Sequence, residues 1–154
     1  MAKVLGLDRL KRKLAKFPEV VEAEIRAAME QSANEIVKMA KSLAPVDGGE
    51  LRDSIGWTWG EAPEGAMVLG KVQKNESGNL VITVYAGGGE AFYARFVEFG
   101  TAPHLNKGRF SGSDHPGTVA TPFFYPAYRA TRKRAKGRVT RAVNKAAKRI
   151  AAGS

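Results

Sequence analysis

From Arg129 to Ser154 the chain carries ten lysines or arginines and no acidic residue. Its apolar positions, Tyr128, Ala135, Val139, Ala142, Val143, Ala146 and Ile150, recur at helical spacing and leave the cations on the remaining arc. The segment therefore reads as a long amphipathic helix that begins near Pro122, with Gly137 weakening it by roughly 1 kcal/mol relative to alanine and expected to bend it. Of 25 basic residues in the 154-residue chain, 15 lie before this segment and are matched by 15 acidic ones, so the formal charge of +10 sits entirely in the tail. Opposite charges placed four apart stabilise an exposed helix by a few tenths of a kcal/mol, and this helix forgoes that gain. A polyanionic neighbour, either nucleic acid or an acidic protein surface, is favoured over a merely solvated face. The candidate electrostatic contacts are Arg132, Lys133, Arg138, Arg141 and Lys145. No base-reading motif accompanies them, so any DNA contact is expected through phosphates, without regard to sequence.

A second helical pattern lies near the other end. Val21, Ile25, Ala28, Met29, Ala33, Ile36, Val37, Ala40 and Leu43 mark one apolar face between Pro18, a favoured first-turn residue, and Ala44-Pro45. Leu5, Leu7, Leu10 and Leu14 suggest a shorter helix before it, with residues 1–17 as a flexible lead-in. Between the two long helices, Ile55, Trp57 and Trp59 alternate as in a strand with one buried face. Residues 66–73 and 79–86 read as two further strands around the polar turn Lys74 to Gly78. Gly87-Gly88-Gly89 ends the second arm, and residues 102–121 read as an exposed loop. The expected fold is α+β: a long N-terminal amphipathic helix, a small and mainly antiparallel sheet, and a long basic C-terminal helix. At this length, residues 1–154 are expected to form a single domain.

The absence of cysteine rules out thiol chemistry and thiolate zinc sites. No apolar run approaches the roughly 20 residues that span a bilayer, so no membrane role is expected, and residues 1–17 mix their charges through the leucines, unlike a secretion signal. The triple glycine lacks the lysine and Ser/Thr of a phosphate-binding loop, and Ser111 and Ser113 lack the frame of a serine-nucleophile elbow.

Three blocks carry a family likeness: Ala44 to Ile55 (APVDGGELRDSI), Tyr93 to Thr101 (YARFVEFGT), and His115 to Arg129 (HPGTVATPFFYPAYR). In order, spacing and the helix-sheet-helix frame between them, they resemble the tail-completion or head-tail joining proteins, neck and minor tail components of long-tailed bacteriophages and prophage-derived particles. The likeness spans most of the chain. Gly48 departs from it, since the family more often has threonine there, and this bears on the turn alone. The resemblance implies a non-enzymatic α+β subunit without a cofactor, placed at the neck or upper tail of a virion and assembled in the host cytoplasm. It further implies a homo-oligomeric ring that touches adjacent neck or tail proteins, with nonspecific contact to packaged DNA.

Individual residues admit sharper and plainer readings. Glu98, set among Phe96, Val97 and Phe99, reads as a buried structural acid bonded to nearby backbone or to Arg95, because an unpaired buried carboxylate costs several kcal/mol. Its sharper alternative is an inter-subunit salt bridge to Arg52 or Arg129 of a neighbouring copy. Tyr93, Phe96, Glu98 and Thr101 are candidates for holding the middle block in register or against a neighbour, and His115, in the loop with Lys107, Arg109 and Phe110, is a candidate partner contact. Phe123 and Phe124 read as core, with Tyr125 peripheral. His104, Asp114 and His115, with Glu98 or Asp47, could be imagined as a metal-dependent nuclease site, but their spacing matches no ligand pattern. The aromatics cluster at the start of the basic helix instead of interleaving with its charges, which argues against a stacking platform for single strands. The main alternative to an assembly subunit is a sequence-nonspecific DNA-binding protein that acts through the basic helix.

Overall fold

The computed structural model describes residues 7–68 and 81–152. The elements in chain order are α1 (Leu7–Leu43), α2 (Glu50–Asp53), β1 (Gly56–Trp59), β2 (Ala66–Val68), β3 (Ile82–Gly87), α3 (Ala94–Phe99), β4 (His104–Leu105), β5 (Asp114–His115) and α4 (Phe124–Ala152), with 3₁₀ turns at Gly89–Ala91 and Gly108–Phe110. The fold is α+β. It groups into two compact units, one of residues 33–131 and the other of residues 1–32 with 132–154.

In the unit of residues 33–131, β1, β3 and β2 form an antiparallel sheet in that order. Trp57 opposite Val84 and Met67 opposite Ala86 set one face of the sheet against the end of α1. That helix contributes Ala33, Ile36 and Ala40, a seam of mostly small side chains that Ala44 extends just past its end, while Phe123, Phe124 and Ala127 close the core. Two fully buried phenyl rings are worth roughly 2–3 kcal/mol each in transfer free energy. Trp57 spans the sheet-helix junction, with its indole N–H donating to Asn34 Oδ1 at 2.8 Å. The Lys74 to Gly78 turn lies outside the described residues, but the antiparallel β2–β3 pairing is the one a hairpin requires.

The other unit pairs the earlier part of α1 with the later part of α4. Ala28 and Ala146 are buried there. Ser32 donates to the carbonyl of Ala28 at 2.8 Å and accepts from Arg138 Nη1 at 2.8 Å, and Arg149 pairs with Glu24.

Several expectations need correction. The break at Phe17-Pro18 is not present, as α1 runs through it without interruption. A proline inside a helix removes one i→i−4 bond, a loss that a 37-residue helix absorbs. Leu43 is 43% exposed and Ala44 takes the inward place, because the buried seam advances by four from Ala40. Tyr128, placed on the apolar arc, is 38% exposed, while Ala127 and Thr131 are fully buried. The region 102–121 is exposed as expected yet not structureless, since β4 and β5 pair antiparallel across it. Gly137 lies inside a single uninterrupted α4.

Candidate functional site

The Tyr93–Thr101 and His115–Arg129 blocks are built into one another. Glu98 is 3% exposed. Its Oε2 accepts the backbone N–H groups of Phe123 and Phe124 at 2.8 and 2.9 Å, and its Oε1 accepts that of Tyr125 at 3.0 Å. The first N–H groups of a helix lack partners within it, and the macrodipole makes that end positive, so one carboxylate from α3 satisfies both needs of α4. The partners are thus backbone amides and not Arg95. Thr101 and Thr118 exchange backbone bonds at 2.9 and 3.0 Å, and Thr121 N–H donates to the carbonyl of Val97 at 2.8 Å. The crossing is tight at Gly100, whose φ of 69° and ψ of −179° suit glycine alone, and where an added Cβ would sit 2.5 Å from the carbonyl oxygen of Thr118.

The Ala44–Ile55 block joins the same construction. Ser54 Oγ accepts the N–H of Gly87 at 3.0 Å, and the Tyr93 hydroxyl faces Glu50 Oε2 at 3.5 Å. Burial first, and then the negative charge and hydrogen bond of Glu50, hold the Tyr93 phenol above its ordinary pKa. All three blocks thereby meet in one unit, around α3.

That meeting inverts the polarity of α3. Ala94 and Glu98, one helical turn apart, are buried, whereas Phe92, Phe96 and Phe99 are 68%, 49% and 60% exposed. Phe92 already has helical backbone angles, so the three phenylalanines at i, i+4 and i+7 form one outward row. Phe99 leans on Tyr125, with ring centroids 5.7 Å apart, while Phe96 and Phe92 border a groove of about 390 Å³ between α3 and β2. Phe96 was legible as a contact candidate. Phe92 and Phe99 were not, although their spacing around an internal glutamate was the available signal.

His115 is half-buried and stacks on His104 across the β4–β5 pair, with centroids 4.8 Å apart and ring planes 19° apart. Its Nδ1 accepts the N–H of Gly117 at 3.0 Å, while His104 Nδ1 lies 2.9 Å from the carbonyl of Ala102. Glu98 is committed to α4. Among the described residues, no group of three or more His, Asp or Glu side chains could hold a metal ion.

The five candidate cations lie in the helical unit. Arg132, Lys133, Arg141 and Lys145 are exposed, and Arg138 is half-buried against Ser32. Helical geometry separates them, since Arg132 and Lys133 share a side with Arg129 and Lys136, whereas Arg138, Arg141 and Lys145 continue toward Lys148 at steps of three and four. Arg141, Lys145, Lys148 and Arg149 line a shallow groove of about 590 Å³ with Asn144 and Ala152. Among the described residues no helix is long and apolar enough to cross a membrane.

Residues 8–100, more than half of the chain, match the family model described as "Bacteriophage HK97-gp10, putative tail-component". No curated protein and no solved structure matches the chain. The match covers the first sequence block in full and the second as far as Gly100, the glycine that follows α3. The chain belongs to the HK97-gp10-like family of bacteriophage tail components.

Proposed function

We propose that the chain is a non-enzymatic structural subunit of the phage neck or upper tail, completing the tail or joining it to the head as part of a homo-oligomeric ring assembled in the host cytoplasm. The observation that carries this reading is the inverted α3. A protein that works alone rarely leaves a row of phenylalanines in water, and apolar patches of that kind mark association sites. Tyr93, Glu98 and Thr101 hold the row in register from beneath, Phe96 belongs to it, and His115 braces the exposed β4–β5 hairpin.

The test is removal of the reading frame from its phage or inducible prophage, with electron microscopy of the particles. The expected result is separate heads and unjoined or malformed tails, with tailed infectious particles restored by the chain in trans and not by Phe92→Ser/Phe96→Ser. Normal infectious particles without the chain would refute the proposal.

The cation-lined groove supports a second reading, in which α4 grips DNA phosphates, as packaged DNA or as a free ligand. Four phosphate contacts would give a log–log salt slope of about −3.6 on duplex DNA. The variant Arg141→Gln/Lys145→Gln/Lys148→Gln should flatten it. Binding that ignores salt, or no binding at all, would direct the helix toward an acidic protein instead.

A further inference from the structure

The unit of residues 33–131 exposes apolar surface of two shapes. One is concave: the groove of about 390 Å³ bordered by Ala66, Met67, Ala86, Phe92, Arg95 and Phe96. A dry cavity of roughly 150 Å³ accepts a benzene ring, so this groove has room for a phenyl group and its neighbours. The other is convex. The β4–β5 hairpin carries Phe110 at 70% exposure on its tip and Leu105 at 63% on its first strand. The tip is fixed from within: Asn106 N–H donates to the carbonyl of Ser113 at 2.9 Å, Asn106 Nδ2 donates to Ser113 Oγ at 2.9 Å, and Ser113 Oγ donates to the carbonyl of Phe110 at 2.7 Å. A turn bonded in this way presents its phenyl ring with little ordering entropy left to lose on contact.

We propose that the hairpin tip of one copy, led by Phe110, seats in the α3–β2 groove of the next copy. This rests on the reading of the chain as a ring subunit and names the contact that would build the ring. Knob and groove occur on one chain at different places, so the contact is heterologous, the kind that propagates from copy to copy and closes when the rotation permits. The charges agree with this occupant. Exposed Lys107 and Arg109 flank Phe110, and exposed Glu64 stands next to Gly65 at the groove, while exposed Asp114 of the hairpin is a counter-charge for Arg95 of the rim. Opposite charges around an apolar centre fix register and reject mismatched docking.

The chain has no cysteine, which makes a crosslink test clean. Ala66→Cys in the groove wall and Ser111→Cys beside Phe110, which leave both phenyl rings in place, are made as separate single variants, one carrying a mass tag. They are oxidised alone and mixed, with a short bismaleimide to relieve the strict geometry of a disulfide. The expected result is a covalent dimer in the mixture that contains both variants, with at most traces in either alone. Unmodified protein is sized in parallel by light scattering, and Phe110→Ser should lower its mass while leaving its circular dichroism spectrum unchanged. Self-linking of Ala66→Cys as efficient as mixed linking would mean a two-fold face-to-face contact and overturn the proposal. No mixed dimer from a chain that is oligomeric by scattering would overturn it and leave the ring standing. No mixed dimer from a strictly monomeric chain would bring down both.

Discussion

Helix α3 ends and α4 begins a few residues from the two ends of one loop, and the two treat their side chains in opposite ways. The first turns of α4 bury Phe124, Ala127 and Thr131 and turn charge outward, as a surface helix should. α3 buries a carboxylate and turns phenylalanines outward. Both choices follow from one contact. Once Glu98 is drawn inside to cap α4, the helical period carries Phe92, Phe96 and Phe99 to the far side. The difference teaches that apolar character alone does not locate the core of this chain. The place where local pattern and burial disagree is where a partner is expected.

The largest contrast is between two phenylalanines. Phe124→Ala removes a fully buried ring and should cost about 3–5 kcal/mol in urea-induced unfolding. Phe96→Ala removes a half-exposed one and should cost below about 1 kcal/mol in the isolated chain while abolishing function in particles. Similar costs for both would erase the distinction between the two helices.

Next comes the shared contact itself. Glu98→Gln keeps the shape but turns an amide NH₂ toward a backbone N–H that needs an acceptor. The loss should be about 2–3 kcal/mol, with amide exchange at Phe123, Phe124 and Tyr125 accelerated more than in the sheet. An undisturbed stability would mean that the cap is incidental. A smaller effect of opposite sign is expected within α4, where Gly137→Ala restores helix propensity. The new Cβ would meet only the end of the flexible Arg141 side chain, at 3.2 Å. The gain should approach 1 kcal/mol, seen as a midpoint raised by a few degrees.

The long helices were legible from apolar spacing, which reports one-sided burial directly, the first strand from alternation, and the other two from apolar and β-branched runs around a polar turn. Phe123 and Phe124 were placed in the core because aromatics at a helix start ordinarily pack onto the sheet, and Glu98 was placed inside because its neighbours left a carboxylate no cheap alternative to pairing. Its true partners, three amides 25 to 27 residues onward, could not be read, because local pattern says nothing of which distant helix end arrives. Residues 102–121 read as an exposed loop without its hairpin, since two-residue strands carry no periodicity. Leu43 and Tyr128 were misplaced by one position, the ordinary cost of assigning a face at the end of a helix, where a step of three and a step of four are equally available.

The smallest expected effect concerns the residue that opens α3. Tyr93 faces Glu50 at 3.5 Å, and burial together with that carboxylate raises its pKa in the folded state. The folded protein therefore holds the phenolic proton more tightly than the unfolded chain does. The resulting stabilisation is complete below the unfolded value of about 10 and is lost as pH rises through the higher folded pKa. Unfolding midpoints measured from about pH 9 upward should fall more steeply for the native chain than for Tyr93→Phe, a comparison that cancels the lysines and the other tyrosines. Tyrosinate absorbance supplies an independent check, since Glu50→Gln should move the Tyr93 titration back toward the ordinary value. Parallel midpoint curves for the native and Tyr93→Phe chains would mean that the Ala44–Ile55 block touches α3 without steadying it. The exposed phenylalanine row would then be held in register by Glu98 and the Thr101–Thr118 bridge alone.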